Sequence, residues 1–167
     1  MENQDPQAAF REECQKIHDD AQFSAEVQYL SASRYERIAF WLQVVPAVAS
    51  ALTGTLSIGL PTQPYLRWIA AGSAVITAVA TILNPAQRRY AHLSAAKAFT
   101  VVKIEARSIG GVFGPTMPLH DFQKAVKELV TRYNDLVRLV PPSEGWAARL
   151  VSLKKAKKAP SLFEKSH

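Results

Sequence analysis

Charged residues are missing from two long stretches of this chain of 167 residues. No Lys, Arg, Asp or Glu occurs from Ile38 to Leu66, Arg67 stands alone, and none occurs from Trp68 to Gln87. A soluble helix of such length normally has a charged outer face, whereas a bilayer core of roughly 30 Å needs about 20 apolar helical residues. The missing charge favours a transmembrane hairpin, and a soluble helical bundle is the rival interpretation.

Cysteine is almost lacking as well, because Cys14 is the single one in the chain. An internal disulfide is therefore excluded, which is consistent with a cytoplasmic location for this residue. His18 lies one helical turn after Cys14, and the pair could hold a metal ion. Two ligands without a second cluster are a weak signal. We expect Cys14 to lie in a core and His18 on the surface, with no metal and no cofactor.

Signatures of catalysis are missing too. The glycines at positions 110, 111 and 114 lack a following Gly-Lys-Ser/Thr and a preceding strand, so they predict a helix-breaking turn rather than a phosphate-binding loop. His92 and His120 have no partners at a spacing typical of a catalytic site. The sequence therefore predicts that the protein is not an enzyme.

Aromatic and basic residues orient the predicted hairpin. Amphipathic rings of the kind found at headgroup depth flank both uncharged stretches: Phe40, Trp41, Tyr65, Trp68 and Tyr90. Lys and Arg number four before Ile38, one in the connector, and fifteen from Arg88 onward. By the positive-inside rule, both termini are expected in the cytoplasm.

The pattern predicts an all-α membrane protein with long cytoplasmic helical extensions at both ends of a two-helix transmembrane hairpin. The expected segments are an N-terminal cytoplasmic helix (1–37), a first transmembrane helix (38–60), a short external connector (61–67), a second transmembrane helix (68–87), a cytoplasmic helical pair (88–142) and a basic C-terminal segment (143–167). The N-terminal helix is expected to continue straight into the first span, because no Gly or Pro interrupts it before Pro46.

Apolar residues at helical spacing define the predicted faces outside the hairpin. The N-terminal arm has Phe10, Cys14, Ile17, Ala21 and Leu30; the first helix after the hairpin has Tyr90, Leu93, Lys97, Val101 and Ile104; the next has Phe122, Val126, Leu129, Tyr133, Leu136 and Val140; and the last has Trp146, Leu150 and Leu153. A single protomer is not expected to bury every such stripe. The stripe from Phe122 to Val140 therefore predicts a homo-oligomer.

Charge is divided along the chain. Residues 1–37 carry eight acids and four bases, a net charge of −4, whereas residues 88–167 carry six acids and fifteen bases, a net charge of +9. We expect these faces to pair with each other rather than with nucleic acid, because no recognised binding motif accompanies the bases. Five bases near the C-terminus are candidates for contact with an anionic lipid surface: Arg149, Lys154, Lys155, Lys157 and Lys158. A plain disordered tail is the alternative.

Both uncharged stretches carry a polar stripe. Ser73, Thr77 and Thr81 recur at every fourth position of the second, and the first has Gln43, Pro46, Ser50, Thr53 and Ser57 at steps of three and four. One interpretation is close helix packing with hydroxyls bonded to backbone carbonyls. The other is a water-lined path among several hairpins. Its candidate lining residues are Gln43, Ser50, Ser57, Ser73, Thr77 and Thr81.

The arrangement resembles a known family. The helix Y-L-S-A-S-R-Y-E-R-I-A-F-W-L enters a span, a second span closes on L-N-P-A-Q-R-R-Y, and the helix A-H-L-S-A-A-K-A-F-T-V-V-K-I-E-A-R-S-I follows. This layout, over about residues 10–140, is similar to that of the SLATT domain, a two-transmembrane effector associated with nucleotide-messenger and SLOG sensor proteins. The resemblance implies a prokaryotic antiviral defence effector that perforates the inner membrane when a sensor detects infection. The alternative is a passive membrane-anchored scaffold that recruits a cytoplasmic partner.

Overall fold

The computed structural model of the chain describes residues 6–59, 64–114, 116–142 and 145–158, and leaves out the side chains of residues 6, 53–59, 64–67, 70, 157 and 158. Its elements are five α-helices and a π-helical segment: α1 (Pro6–Gly59), α2 (Pro64–Leu83), α3 (Pro85–Arg107), the π-helix (Ser108–Phe113), α4 (Leu119–Leu139) and α5 (Gly145–Lys158). No strand occurs among these described residues, and the all-α prediction is confirmed. The predicted continuity of the N-terminal helix with the first uncharged stretch is confirmed by α1.

A break of one residue, Asn84, separates α2 from α3. Asn84 has a positive φ of 39°, which ends α2, and Pro85 supplies a preset φ for the first position of α3. The Asn84 side chain then caps α3, because its Oδ1 accepts a hydrogen bond from the Gln87 backbone N at 3.3 Å. In return, Asn84 Nδ2 donates to Gln87 Oε1 at 2.8 Å. The Asn-Pro dipeptide thus marks a helix boundary in the structure.

The described residues divide into two compact units. Residues 1–31 and 91–167 form the first, called here the bundle unit, and residues 32–90 form the second, called the hairpin unit. The bundle unit has a core in which α1, α3 and α4 meet, with Ile17, Phe99 and Phe122 at its centre. Phe10 packs edge-on against Phe122, with ring centroids 5.7 Å apart. The predicted apolar face of the N-terminal arm is confirmed by these contacts.

The predicted apolar face of α3 is wrong. Val101 and Ile104 are 53% and 56% exposed. The buried face instead carries small residues and two large ones: His92, Ala95, Ala96, Phe99, Val102 and Ala106. Small side chains allow close approach of neighbouring helices. The buried face of α3 is therefore the one that packs closely, and not the one with the most apolar residues.

The apolar stripe of α4 lies inside the bundle unit. Phe122, Val126 and Leu129 are buried, and Tyr133, Leu136 and Val140 pack against the same core. The predicted face is therefore confirmed. The reason given for an oligomer is wrong, because one protomer buries this stripe without help from a neighbour.

The buried face of α5 also differs from the prediction. Ala147 and Val151 are buried against Val27 of α1, whereas Leu150 and Leu153 are 43% and 59% exposed. Trp146 is half-buried at the edge of the same cluster. The smaller apolar residues of α5 are thus buried against α1, and two of the three larger ones that define the predicted face are exposed.

The glycine segment after α3 is helical rather than a turn. Gly110 and Gly111 lie in the π-helix, and no described glycine has a positive φ. A Cβ built on Gly110 would lie 2.8 Å from Cys14 Cβ. The expectation of a helix-breaking turn is therefore wrong at this position, and Gly110 is needed for close approach of the π-helix to α1.

Across the described residues, no helix has a segment that combines the length and the apolar character needed to cross a membrane. The predicted first span, residues 38–60, ends at a position outside the described residues. The bounds predicted for the second span, residues 68–87, are wrong, because α2 is Pro64–Leu83 and α3 begins at Pro85. Residues 64–67 of the predicted connector therefore belong to α2, and residues 61–63 lie outside the described residues.

Candidate functional site: the groove between α1 and α2

A groove of about 360 Å³ lies in the hairpin unit between α1 and α2. Gln43 lines it from α1, and Thr77 and Thr81 line it from α2. Residues 39–46 of α1, at the start of the first uncharged stretch, face Thr77 and Thr81 near the end of α2. Because α1 continues to Gly59 and α2 begins at Pro64, the two helices run antiparallel, as a hairpin requires. None of the described residues that line it is charged. Three of the six predicted lining residues are thus brought together in one groove, whose other lining residues are mostly apolar.

The threonine hydroxyls have a defined orientation. Thr77 Oγ1 donates to the Ser73 carbonyl oxygen at 2.9 Å, and Thr81 Oγ1 donates to the Thr77 carbonyl oxygen at 2.9 Å. Each hydroxyl hydrogen is therefore directed to the helix's own backbone. Each hydroxyl can therefore interact with another group only through its oxygen lone pairs, which accept hydrogen bonds or contact a cation.

Pro46 changes the backbone hydrogen bonding of the opposite wall. It is buried, lies inside α1 and lines the groove together with Leu42. Proline has no N–H, so it cannot give the Leu42 carbonyl oxygen the hydrogen bond that a residue four positions later normally provides. In an apolar environment such a carbonyl is satisfied by side chains, water or bound ions. Because Leu42 lines the groove, we infer that its carbonyl oxygen is an acceptor available to a group bound there.

The other predicted lining residues lie elsewhere. Ser50 is exposed on α1 and is not part of the groove wall, and Ser73 is half-buried on α2, where its carbonyl accepts the Thr77 hydroxyl. The Ser57 side chain lies outside the described residues. The polar stripe of each helix therefore has a part that faces the groove and a part that does not.

The basic residues of α5 are placed in two ways. Arg149 and Lys154 are exposed, beside the exposed Leu150 and Leu153. Lys155 turns toward α1, with Nζ 5.3 Å from the centre of the Phe23 ring, a cation–π contact. The side chains of Lys157 and Lys158 lie outside the described residues. Of the lipid-surface candidates whose side chains are described, Arg149, Lys154 and Lys155 are all exposed, as such a role requires.

A buried polar contact joins three elements of the bundle unit. Gln28 of α1 and His92 of α3 are 3% and 5% exposed, and Gln28 Oε1 lies 2.6 Å from His92 Nδ1. Gln28 Nε2 donates to the Pro141 carbonyl oxygen, just beyond α4, at 3.2 Å. Since the amide nitrogen is used there, the amide oxygen must accept from His92, which places a hydrogen on Nδ1. This contact stabilises the bundle unit.

A cavity of about 380 Å³ borders this contact in the bundle unit. Its wall combines the rings of Phe23, Phe99 and Tyr133 with the polar side chains of Ser24 and Gln28. No charged side chain belongs to the described wall, so a phosphate group would find no counter-charge there. The cavity suits a neutral molecule better than a nucleotide.

Burial sets the properties of the bundle unit's titratable groups. Cys14 is buried, as predicted, and desolvation together with the nearby Glu13 carboxylate raises the pKa of its thiol. Desolvation, followed by the charge of Asp20, raises the pKa of Tyr133, which a hydrogen bond with Ser24 partly offsets. Both groups are therefore uncharged at neutral pH.

His18 is not a surface residue, contrary to expectation. It is half-buried, and its Nδ1 lies 3.0 Å from the Lys103 carbonyl oxygen of α3. Within the described part of the chain, no three side chains of His, Cys, Asp or Glu are close enough together to hold a metal ion. His18 thus links two helices through a backbone carbonyl.

Sequence reasoning missed three of these residues. Gln28 follows Ala21 and Ala25 at helical spacing, so its place on the buried face was visible in the pattern. Asn84 was noticed as part of a junction but not as a neighbour of the groove. The Leu42 carbonyl could have been found by asking which backbone acceptor loses its partner at Pro46.

Comparisons of the chain with models of protein families, with curated protein sequences and with solved structures find no match.

Proposed function

We propose that the protein is an oligomeric membrane effector of the pore type, which permeabilises the inner membrane of a prokaryotic cell in antiviral defence when a partner sensor or nucleotide signal activates it. The layout that the chain shares with SLATT domains supports the role in defence. The distribution of side chains in the hairpin unit carries the membrane part of the proposal.

Large apolar side chains of the hairpin unit are exposed on both helices. Trp41, Val45, Val48 and Leu52 recur on one stripe of α1 and are each at least 42% exposed. On α2, Trp68, Val75 and Ile82 are 78%, 63% and 83% exposed. Contiguous apolar surface of this kind on a protein is covered by a partner or by lipid.

Polar side chains lie away from these stripes. On a helical projection Gln43 falls roughly opposite Val45 and Val48 of α1, and Thr77 falls roughly opposite Val75 and Val79 of α2. Each helix therefore offers aliphatic side chains on one side and hydrogen-bonding groups on the other. Lipid against the first side and water against the second would satisfy both.

The proposed pore requires an oligomer, because one hairpin supplies only two helices. Two helices cannot enclose a continuous aqueous path, because much of each helix surface faces outward. Several hairpins arranged in a ring could bring their polar sides together. The α4 stripe gives no support for an oligomer, because a single protomer buries it.

A scaffold function is the second candidate, and the bundle unit supplies an observation in its favour. Val101, Ile104 and Phe113 are exposed on α3 and the π-helix, beside the ion pair between Arg132 and Glu105 with an N–O distance of 2.6 Å. An apolar face bordered by charges is typical of a surface that contacts another protein. A scaffold would bind its partner through this face without any flow of ions.

Membrane insertion and permeabilisation can be tested with one set of cells. The chain is expressed in bacteria, membranes are washed with alkaline carbonate, and membrane potential is followed with a voltage-sensitive dye. We expect the chain to stay in the washed membranes. The cells should depolarise after induction, because a high concentration of the chain favours the assembled state without the activating signal. Thr77→Leu should retain insertion and assembly and lose depolarisation, because a larger apolar side chain narrows and dewets the path.

A matched control distinguishes the groove from a general effect of threonine replacement. Thr131 of α4 is also exposed and donates to the carbonyl oxygen four residues earlier, at 2.9 Å, but lies in the bundle unit. Thr131→Leu should depolarise cells as the parent chain does. Release of the chain by carbonate, or normal polarisation together with stable capture of a partner, would favour the scaffold instead.

A further inference from the structure

We propose that the groove between α1 and α2 selects small monovalent cations over anions. The inference rests on the proposed pore function and deepens it, since it names the class of ion that passes. It follows from which hydrogen-bonding groups the groove presents, and not from the presence of polar residues alone.

The α2 wall presents acceptors. Thr77 and Thr81 line the groove and donate their hydroxyl hydrogens to the Ser73 and Thr77 carbonyls, so their hydroxyl oxygens have only lone pairs to offer a bound ion. A chloride ion needs donors such as N–H or O–H, and these two hydroxyls have already used theirs. A potassium ion needs oxygen ligands, which both threonines can supply.

The α1 wall adds further oxygens. Pro46 leaves the Leu42 carbonyl without its usual helical donor. Gln43 contributes an amide with one carbonyl oxygen and an NH₂ group that can donate to a neighbouring acceptor. Hydroxyl and carbonyl oxygens without a fixed negative charge replace the water around a monovalent cation and bind it weakly enough for release.

Positive charge near the groove opposes this preference and has to be weighed against it. Arg37 and Arg88 are exposed, while Arg89 is paired with Glu36 at an N–O distance of 2.9 Å. Arg37 precedes Gln43 by six residues, a distance of about 9 Å along a helix. The Debye length in physiological salt is about 8 Å, so exposed charge at that distance is largely screened. Direct contact with the lining oxygens is expected to dominate.

The test uses the full chain, purified and reconstituted in phosphatidylethanolamine–phosphatidylglycerol bilayers under a potassium chloride gradient. The sign of the reversal potential reports whether potassium or chloride carries the current. We expect the potassium sign for the parent chain. The double variant Thr77→Val and Thr81→Val keeps side-chain shape but removes both oxygens, and should lower the ratio of potassium to chloride permeability.

Two control variants assign the effect. Thr131→Val removes a hydroxyl with the same backbone bond in the bundle unit and should leave the permeability ratio unchanged. Arg37→Gln removes a charge outside the groove and should leave the preference for potassium in place.

Three outcomes test, in turn, the pore function, the cation preference and the assignment of that preference to the groove. No current from parent chain that is reconstituted at a density at which crosslinking shows oligomers overturns the proposed pore function and this inference with it. A current with equal or greater chloride permeability leaves the pore function standing and overturns the cation preference. A potassium preference that the double valine variant retains in full overturns the assignment of that preference to the groove.

Discussion

Gln28 and His92 form a hydrogen bond of 2.6 Å between two side chains that are almost completely buried. The two residues are 64 positions apart in sequence and join α1 to α3. Gln28 also donates to the Pro141 carbonyl, so one amide fixes the relative position of two helices and the segment after a third. A buried polar group of this kind is costly when its partner is removed, which makes the contact specific for this arrangement of helices.

Gln28→Leu should destabilise the bundle unit by about 1–3 kcal/mol, because it leaves the His92 ring N–H and the Pro141 carbonyl without their partner in a buried position. The measurement is thermal or denaturant unfolding of the full chain in mild detergent, followed by circular dichroism. Gln22→Leu is the matched control on the same helix, since Gln22 bonds to the exposed Glu26 at 3.2 Å and not to a buried group among the described residues. That variant should change stability by less than about 0.5 kcal/mol. Equal effects of the two variants would contradict the role given to Gln28.

Periodicity was sufficient to predict the helices, but not always their buried faces. The stripe of α4 was correct because it is long and apolar, with Phe122 and Leu129 on one face and charges on the other. The faces of α3 and α5 were wrong because Ala96, Ala147 and other small residues form the contacts there. Hydrophobicity ranks a small residue low, although close approach of helices requires it.

Part of the groove could also be predicted. The four-residue spacing of Thr77 and Thr81 placed them on one face, and Gln43 was assigned to the facing stripe. Periodicity gives no information about which part of a stripe faces the other helix, so Ser50 and Ser73 could not be separated from the groove residues. The direction of the hydroxyl hydrogens likewise depends on backbone geometry.

Val151→Ala and Leu153→Ala test the corrected face of α5. Val151 is 1% exposed and packs with Val27, so the loss of two methyl groups should destabilise the chain by roughly 1–3 kcal/mol. Leu153 is 59% exposed, and its replacement should change stability by less than about 0.5 kcal/mol in neutral detergent. The comparison is made by thermal unfolding of the full chain. A larger effect at Leu153 would restore the face expected from the sequence.

The raised pKa of Cys14 predicts how the stability of the chain changes at alkaline pH. Burial raises the pKa of its thiol above the ordinary value of 9.0, so the folded chain retains a proton that the unfolded chain loses. The stabilising contribution is fully present below the unfolded pKa and is lost as pH rises through the folded pKa. The stability of the parent chain should therefore fall more steeply than that of Cys14→Ala as the pH rises above the ordinary thiol pKa of 9.0. Tyr133 shifts in the same direction but is present in both proteins, so its contribution cancels.

Unfolding free energies at a series of pH values measure this difference. Cys14→Ala should be less stable than the parent at neutral pH because it removes a buried sulfur atom. The gap should narrow as pH rises, since the parent alone loses the contribution of the protonated thiol. Parallel curves for the two proteins would show that Cys14 has the same pKa in the folded and unfolded chain.

Gly110→Ala and Gly111→Ala form a pair of neighbouring substitutions with opposite expectations. A Cβ at position 110 would lie 2.8 Å from Cys14 Cβ, so the π-helix or α1 must shift, at a cost of about 1–3 kcal/mol. A Cβ at position 111 would meet nothing within 4 Å. There alanine should be neutral or stabilising by up to about 1 kcal/mol, because it lowers the entropy of the unfolded chain.

The cause of the effect at Gly110 can be isolated by relieving the clash from the other side. Cys14→Gly removes the Cβ and sulfur that the new methyl group would meet. If steric overlap is the cause, Gly110→Ala should cost less in the Cys14→Gly background than in the parent chain, and the coupling energy of the double-mutant cycle measures that relief. Equal costs in the two backgrounds would mean that the π-helix itself, and not its contact with α1, requires glycine.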